Sequence, residues 1–546
     1  VSFHPDWRRH ALAHAGDPYD LLVIGGGITG CGVLLDACQR GLRVLLLEKG
    51  DLASGTSSRS SKLIHGGLRY LKQMQFGVTR SACRERDRMM ALNPDLVRPI
   101  RFLYPAFEGD TTPGWQVDLG LWMYDQLTER PEKHQRWVGS GGGAAARGLA
   151  PGLAVEDLDR ALVYVDAVAD DAALTFAVAA TGAAYGGRIV TRAEVVEGLR
   201  DGAGRASGVV FRDLETGAAH RTHAHLVVNA AGVWVDRVRE AFRLGDPRLR
   251  PSRGSHLIVP AERLPLEAAV TVPSPDDRRP VFFIPHPEGV LLGTTDLFHA
   301  GSLDDPRPTR EEAAYLLRAV QAHFPERRIV EDDVVGAFAG VRPILSADVE
   351  DPSAASREAA VWEERGLLSV AGGKLTTWRE MAEEVVDAAL KLLPEERGRV
   401  ASPCLTTGTP LAGLAPLDLP ERLSTAHGVE PEVARAMARR LRAAAWWAPA
   451  LARSASELLP VTDGTDLSLA EVRAHLRTGA VVRLEDLLLR RARLAMWRPD
   501  QAREVVGRLR AACQEELGWD HARWDRERDR FERAARAWSP EGIEAT

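Results

Sequence analysis

Residues 19–71 read YDLLVIGGGITGCGVLLDACQRGLRVLLLEKGDLASGTSSRSSKLIHGGLRYL, and this stretch decides the fold. The apolar run Leu21 to Ile24 predicts a buried parallel strand. Gly25, Gly27 and Gly30 then form G-x-G-x-x-G, and helical spacing runs from Ile28 to Arg40, with Gly41 placed as a C-terminal cap. Val44 to Leu47 is a second apolar strand, closed by Glu48. Strand, glycine turn, helix, strand and acid make the dinucleotide fingerprint in the context it requires. The glycines permit a tight turn, close approach to a pyrophosphate and close helix–strand packing, while the helix N-terminus offers free N–H groups to the phosphates. Glu48 follows Gly30 by eighteen residues, where a carboxylate meets an adenosine ribose.

The segment LASGTSSRSSKLIHGG is too small, polar and glycine-rich for a buried helix. It suits a backbone laid along a long ligand, which favours FAD; a solvated loop is the other reading. The 546 residues predict at least two domains. A hydrophobic content of 45% is ordinary for a folded chain, and a net charge of −6 gives no sign of a nucleic-acid surface. Five widely spaced cysteines without a C-x-x-C pair argue against a disulfide framework and a metal site. No run reaches the ~18 apolar residues of a membrane span, and the N-terminal residues carry no apolar leader.

Along the chain, Leu68 to Leu92 is helical by pattern, Val97–Phe107 alternates, Trp115–Leu127 is amphipathic, and Arg130–Gly152 reads as loop. Asp170 or Asp171 caps a helix over Ala172–Thr181. Residues 186–191 feed a strand toward Val195, and Ala224–Asn229 ends in the small-residue turn Ala230-Ala231-Gly232 before Trp234. Between about 251 and 335, short strands predict an antiparallel sheet. Helices are expected at 308–324 and 375–393. Beyond them come 431–448, 469–477, 484–495, 499–517 and 519–537, a separate helical domain. The expected architecture is α/β. A Rossmann-like FAD-binding domain over 1–395 carries an inserted antiparallel-sheet substrate domain (mainly 97–165 and 251–335). An all-helical C-terminal domain spans 396–546.

Several motifs give a closer resemblance: SGTSSRSSKLIHGGLRYL (54–71), YVDAVADDA (164–172), NAAGVWVD (229–236), GSHLIVP (254–260), GTTD (293–296), GVRPI (340–344), Ser356-Arg357, GGKLTTWR (372–379), CLTTGTPLAG (404–413) and LEDLLLRRARL (484–494). The chain resembles the FAD-dependent, aerobic respiratory glycerol-3-phosphate dehydrogenases of the D-amino-acid-oxidase-like superfamily. Arg253 stands where the family usually has Lys, and Trp378 where Tyr is common. If Arg253 touches substrate, its planar fork is not equivalent to a lysine.

The resemblance implies oxidation of sn-glycerol 3-phosphate at C2 to dihydroxyacetone phosphate, with FAD bound non-covalently and a membrane quinone as electron acceptor. The expected cofactor contacts begin with Ile24, Gly25, Gly27, Ile28, Thr29 and Gly30, then Leu47, Glu48 and Lys49. The serine-rich loop adds Ser54, Gly55, Thr56, Ser57, Ser58 and Ser60, then Leu63, Ile64, His65, Gly66 and Gly67. Later segments add Val195, Ala230, Ala231, Gly232, Trp234, Gly293, Arg342, Gly373, Lys374, Leu375 and Thr376. Substrate contacts are expected from Arg69, Tyr70, His256, Arg342, Arg357 and Lys374. Of these, His256 is the candidate base, while Arg342 and Lys374 are catalytic cations. A buried Arg342 needs an anionic partner, either a carboxylate or a ligand. The other functional readings are an O2-dependent oxidase of the same substrate, an amine or amino-acid oxidoreductase, and a flavin-bearing sensor without turnover. Trp446-Trp447 beside Arg439, Arg440 and Arg442 is a candidate membrane-contact patch. The chain is expected to be cytoplasmic, peripheral on the inner face of the membrane, and homodimeric.

Overall fold

The computed structural model describes residues 3–72, 74–129, 132–345, 358–396 and 402–545, without the side chains of Arg69, Lys72 and Ser140. Arg357 therefore lies outside the described residues, and the Arg69 side chain does too.

The opening stretch folds as its pattern dictates. Tyr19–Ile24 is a wholly buried strand, Ile28–Gln39 a helix, and Val44–Glu48 the next strand. The two strands pair in parallel, Leu21 to Val44 through Ile24 to Leu47. Gly41 ends the helix with φ +91°. At Gly30 a Cβ would stand 1.9 Å from the Gly25 carbonyl oxygen, so only glycine lets helix and turn approach this closely.

Among the described residues, these strands centre an eight-stranded sheet, ordered Ala360–Glu364, Leu367–Ala371, Ala219–Asn229, Tyr19–Ile24, Val44–Glu48 and Arg188–Thr191. The strands Ala193–Arg200 and Ala206–Asp213 extend it as an antiparallel meander. Helices Ile28–Gln39, Asp171–Ala184 and Trp378–Leu392 bury one face in a shared apolar cluster. Asp170, one of the two candidate caps, accepts the Ala173 amide at 2.8 Å.

The second sheet has ten strands among the described residues and is largely antiparallel. It includes Ser252–Val259, Ala269–Pro273, Pro280–His286, Gly289–Gly293 and Gly336–Arg342, joined to Val97–Phe107 and Leu158–Ala169. Three elements differ from the sequence reading. Residues 130–152 are not merely loop: Gln135–Val138 pairs into the sheet and Ser140–Leu149 is a helix. Ala146 and Ala150 bury fully there beside Ala161 and Leu103, and that packing outweighs the poor helix propensity of four glycines. The helix expected from Leu68 to Leu92 breaks at Met74 (φ +59°) into Leu68–Lys72 and Phe76–Leu92. The 484–495 helix is a π-helical turn, Asp486–Arg491, followed by Arg493 at φ +61° and a short helix, Leu494–Trp497.

That irregular turn has a physical cause, since it aims three arginines at two buried acids. Arg490 and Arg491 meet Asp51 at 2.6 and 2.9 Å, and Arg493 meets Asp171 at 3.0 Å. The C-terminal helices are thus locked onto the dinucleotide half. They also share one apolar cluster with the inserted sheet, where Leu487, Trp497 and Phe531 join Phe102, Ile258 and Phe338.

Candidate active site

Glu48 ends the second strand beside the glycine turn. Its carboxylate accepts the amides of Gly26 and Gly50, both at 2.6 Å. Burial pushes its pKa up, and those two N–H groups oppose the shift. Val195 is half-buried on the strand that follows Thr191, itself the register partner of Glu48. Leu47 is buried beneath, and Lys49 stands 4.0 Å from the Trp234 ring centroid.

The glycine turn and the 230–234 turn meet. The Ala230 amide donates to the Ile24 carbonyl at 2.9 Å, and a Cβ at Gly25 (φ +116°) would overlap the Ala230 carbonyl. Ala231 and Gly232 continue into a short 3-10 turn ending at Trp234, whose ring packs on Gly55. The Ile28 amide donates to Ser57 Oγ at 2.9 Å, so the serine-rich loop closes over the helix N-terminus beside Thr29. This cradle fits FAD: glycine backbone faces a helix N-terminus, and an acid is pre-set for ribose hydroxyls.

The loop is pinned along its length. Thr56 Oγ1 donates to the Val341 carbonyl at 2.6 Å, one residue before Arg342. Ser58 is buried, and Ser60 donates through N and Oγ to Asp171 at 3.0 and 2.7 Å. Leu63 and Ile64 pair with Val168 and Ala167. The His65 amide donates to Thr376 Oγ1 at 3.1 Å, two residues after Lys374. The Gly66 amide donates to Tyr124 Oη at 2.8 Å, and Gly67 (φ +79°) opens the helix carrying Arg69 and Tyr70. The loop therefore runs from beside Arg342, at Val341, to the turn that follows Lys374, at Thr376.

Lys374 precedes the 3-10 turn Leu375–Thr377, after Gly373 at φ +82°. Its Nζ lies 3.4 Å from the Tyr70 ring centroid, a cation–π contact that brings two expected site residues together. Arg342 does have a carboxylate partner: Asp296 at 3.0 Å, with Ser252 and Thr294 at 3.4 and 3.3 Å. Its side chain remains 22% exposed, so the pair is not sealed in the core.

His256 is 2% exposed. It stacks on Phe338 at 4.8 Å, its Nε2 lies 2.8 Å from Ser61 Oγ, and Gly293 is its register partner. Burial, then Arg342 and Lys62, push its pKa down to about 3, so the imidazole is neutral at working pH. The base role had suggested an imidazole titrating near neutrality, and this setting differs from that.

Arg253 does not face the site. It forms an ion pair with Glu312 at 2.8 Å, within the capping box of helix Arg310–His323. Trp378 is buried, donating to Met89 Sδ at 3.3 Å. The residue that sequence reasoning underused is Asp171, considered only as a helix cap. Asp171 accepts from Ser60, Lys62 and Arg493, and is fully buried. Burial pushes its pKa up, but Lys62 and Arg493 prevail and hold it below the ordinary carboxylate value. The candidate patch at Trp446-Trp447 is not an open basic surface: Trp446 packs on His427 and only Trp447 of the two is exposed, while Arg439, Arg440 and Arg442 pair with Glu288, Glu471 and Asp95.

The glycine cradle, the preset acid and the loop lying between two cations define a flavin-dependent oxidoreductase. Comparison with known proteins agrees. Residues 20–388 match the FAD dependent oxidoreductase family, and residues 404–524 match the C-terminal domain of alpha-glycerophosphate oxidase. Glycerol-3-phosphate dehydrogenase 2 of Mycobacterium tuberculosis is 36% identical, covering 95% of this chain and 88% of the relative. The aerobic glycerol-3-phosphate dehydrogenase of Staphylococcus aureus is 38% identical over 73% of this chain and 71% of its own length. The glycerol-3-phosphate dehydrogenase of Bacillus halodurans, solved with FAD, superposes with a TM-score of 0.79 at 28% identity and covers both chains fully. The chain belongs to the FAD-dependent glycerol-3-phosphate dehydrogenase family, and its cofactor is FAD.

Proposed function

We propose that this protein oxidises sn-glycerol 3-phosphate at C2 to dihydroxyacetone phosphate and passes the electrons to a membrane quinone. The observation that carries the reading is the pinning of one flavin loop between Arg342 and Lys374, in a chain that matches glycerol-3-phosphate dehydrogenases along 95% of its length. When bound, FAD supplies the hydride acceptor. Lys374, steered by Tyr70, is a fixed cation for the developing alkoxide or the reduced ring. Arg342, oriented by Asp296, Ser252 and Thr294, offers its exposed edge to substrate. Arg69 and Arg357 are assigned to the phosphate, where guanidinium forks suit a dianion. His256, neutral and bonded to Ser61, is assigned to receive the C2 hydroxyl proton through that hydroxyl.

A surface feature favours the quinone over O2. On helix Gly114–Leu127, Trp115 and Trp122 are 56% and 55% exposed, and Leu119 lies between them on the same face. Met74 and Phe76 are exposed at the break between the helices that pack beside it, and the exposed Arg80 and Arg84 follow. Aromatic and basic side chains together suit the headgroup level of an anionic bilayer. Among the described residues, no helix is long and apolar enough to cross a membrane. The test compares acceptors with glycerol 3-phosphate as donor. A short-chain quinone is expected to be reduced faster than peroxide is released in air, and matching rates would identify an oxidase instead. The variant Trp115→Ser/Trp122→Ser is expected to lose binding to vesicles containing phosphatidylglycerol; unchanged binding would remove this face from the account.

A further inference from the structure

A cavity of ≈ 50 Å³ lies apart from the glycine cradle, where the inserted sheet, the dinucleotide half and the C-terminal helices meet. It is strongly cationic, with Lys62, Arg98, Arg439, Arg440, Arg491 and Arg493 lining it against three carboxylates, Asp95, Asp170 and Glu288. Most of these cations are already matched. Lys62 pairs with Asp171, Arg439 with Glu288, Arg440 with Glu471 and Asp466, Arg491 with Asp51, and Arg493 with Asp170 and Asp171. Asp95 is taken by Arg442.

Two donors are left over at the cavity wall. Among the described residues, Arg98, an exposed residue of strand Val97–Phe107, has no ion pair and no hydrogen bond to a carboxylate; Arg439 repels its guanidinium, while Glu288 and Asp170 attract it from farther than contact distance. His286 Nε2 is buried with no hydrogen-bond partner, its ring held against Trp497 at 4.7 Å. Burial, then Lys62 and Arg98, keep this imidazole neutral, so one of its ring nitrogens carries a proton to donate. A buried imidazole nitrogen without a partner is costly, whereas the exposed Arg98 guanidinium can be hydrated. A guanidinium and an N–H that share a small, cation-rich cavity are the chemistry of an oxyanion site. One water needs roughly 10–15 Å³ of such space, so the cavity has room for a few waters or one tetrahedral oxyanion.

We propose that this junction binds one small phosphate-type oxyanion between Arg98 and His286, and that the anion steadies the flavin loop. The route is short. Lys62 lines the cavity, bonds Asp171 at 2.9 Å, and Asp171 holds both donors of Ser60 in the loop. An anion beside Lys62 keeps that ammonium charged, against the burial that pulls its pKa to about 8. The site is separate from the substrate pocket and does not depend on which alcohol is oxidised. Its small volume favours inorganic phosphate over a three-carbon phosphoester.

The test uses the FAD-loaded full chain. Crystals soaked in selenate are expected to give an anomalous peak within hydrogen-bond distance of Arg98 and His286, absent from Arg98→Gln crystals. Inorganic phosphate is expected to displace it, whereas glycerol 3-phosphate is not. In solution, sulfate at constant ionic strength is expected to raise the temperature of flavin release in the wild type. The Arg98→Gln variant should need roughly tenfold more sulfate for the same shift. Any sulfate effect at the substrate phosphate site is common to both proteins, so the difference between them reports the junction. No selenate peak in the cavity, or identical sulfate responses in the two proteins, overturns the proposal. Displacement by glycerol 3-phosphate overturns the assignment to a free anion and makes the cavity a second substrate site.

Discussion

Asp171→Asn is the most informative single change in the chain. The carboxylate accepts Ser60 N, Ser60 Oγ, Lys62 Nζ, Arg493 Nη2 and the Ala172 amide, all between 2.7 and 3.0 Å. Asparagine keeps the shape but removes the charge from between two buried cations, Lys62 and Arg493. Removing one partner of a buried ion pair costs about 3–5 kcal/mol. The lower end applies here, because Arg493 retains Asp170 at 2.8 Å. The loss falls on the flavin loop through Ser60 and on the docking of the C-terminal helices through Arg493. The assay is the temperature at which flavin fluorescence rises as FAD is released, since a large cofactor-bearing chain does not unfold in two states. The variant is expected to release FAD at a clearly lower temperature. Adding Lys62→Met removes the stranded ammonium and should recover roughly 1–3 kcal/mol, so the two changes are strongly non-additive. A wild-type release temperature in Asp171→Asn, or simple additivity in the double variant, would show that Asp171 does not hold the loop and Lys62 together.

Other substitutions and conditions test separate parts. Gly30→Ala forces a Cβ to within 1.9 Å of the Gly25 carbonyl oxygen, and the protein should elute from gel filtration without FAD; a full flavin load would contradict the close packing. Glu48→Gln weakens charge-assisted acceptance from Gly26, Gly50 and the ribose, with an expected 10–100-fold rise in the FAD Kd by fluorescence titration. Burial holds His256 and His286 at about 3, below the ordinary 6.5. Between those values the unfolded chain takes a proton that the folded chain refuses, so stability falls as pH drops from 6.5 toward 3. The slope is about 1.4 kcal/mol per pH unit for each histidine, or about 2 kcal/mol each at pH 5. Flavin-release temperatures from pH 7 to 5 should drop more shallowly in His286→Gln, and an unchanged slope would show that His286 is not held neutral.

The first βαβ unit was legible to within a residue or two because strand, turn and helix all depend on local pattern and on glycine sterics. Residues 135–149 were not, because their order comes from contacts with the long Leu158–Ala169 strand rather than from propensity. The π-helical turn at Asp486–Arg491 was hidden for a similar reason: its irregularity serves Asp51 and Asp171, more than 300 residues earlier in the chain. Motifs located Arg342 and Lys374, yet only the fold revealed that Asp296 engages one and Tyr70 lies under the other. Trp446-Trp447 sits beside a run of arginines in sequence, but those arginines turn inward to carboxylates, which the sequence alone does not show. The exposed pair, Trp115 and Trp122, needs a solvent-facing helix that composition cannot reveal.

The proposed reaction requires this flavin pocket to accept hydride from a three-carbon phosphoester alcohol. The direct measurement is the visible absorbance of the FAD-loaded protein, mixed anaerobically with sn-glycerol 3-phosphate. The flavin is expected to bleach within seconds, with dihydroxyacetone phosphate formed in equal amount. A flavin that stays oxidised under saturating substrate, with FAD fully bound, would rule out glycerol 3-phosphate as the hydride donor.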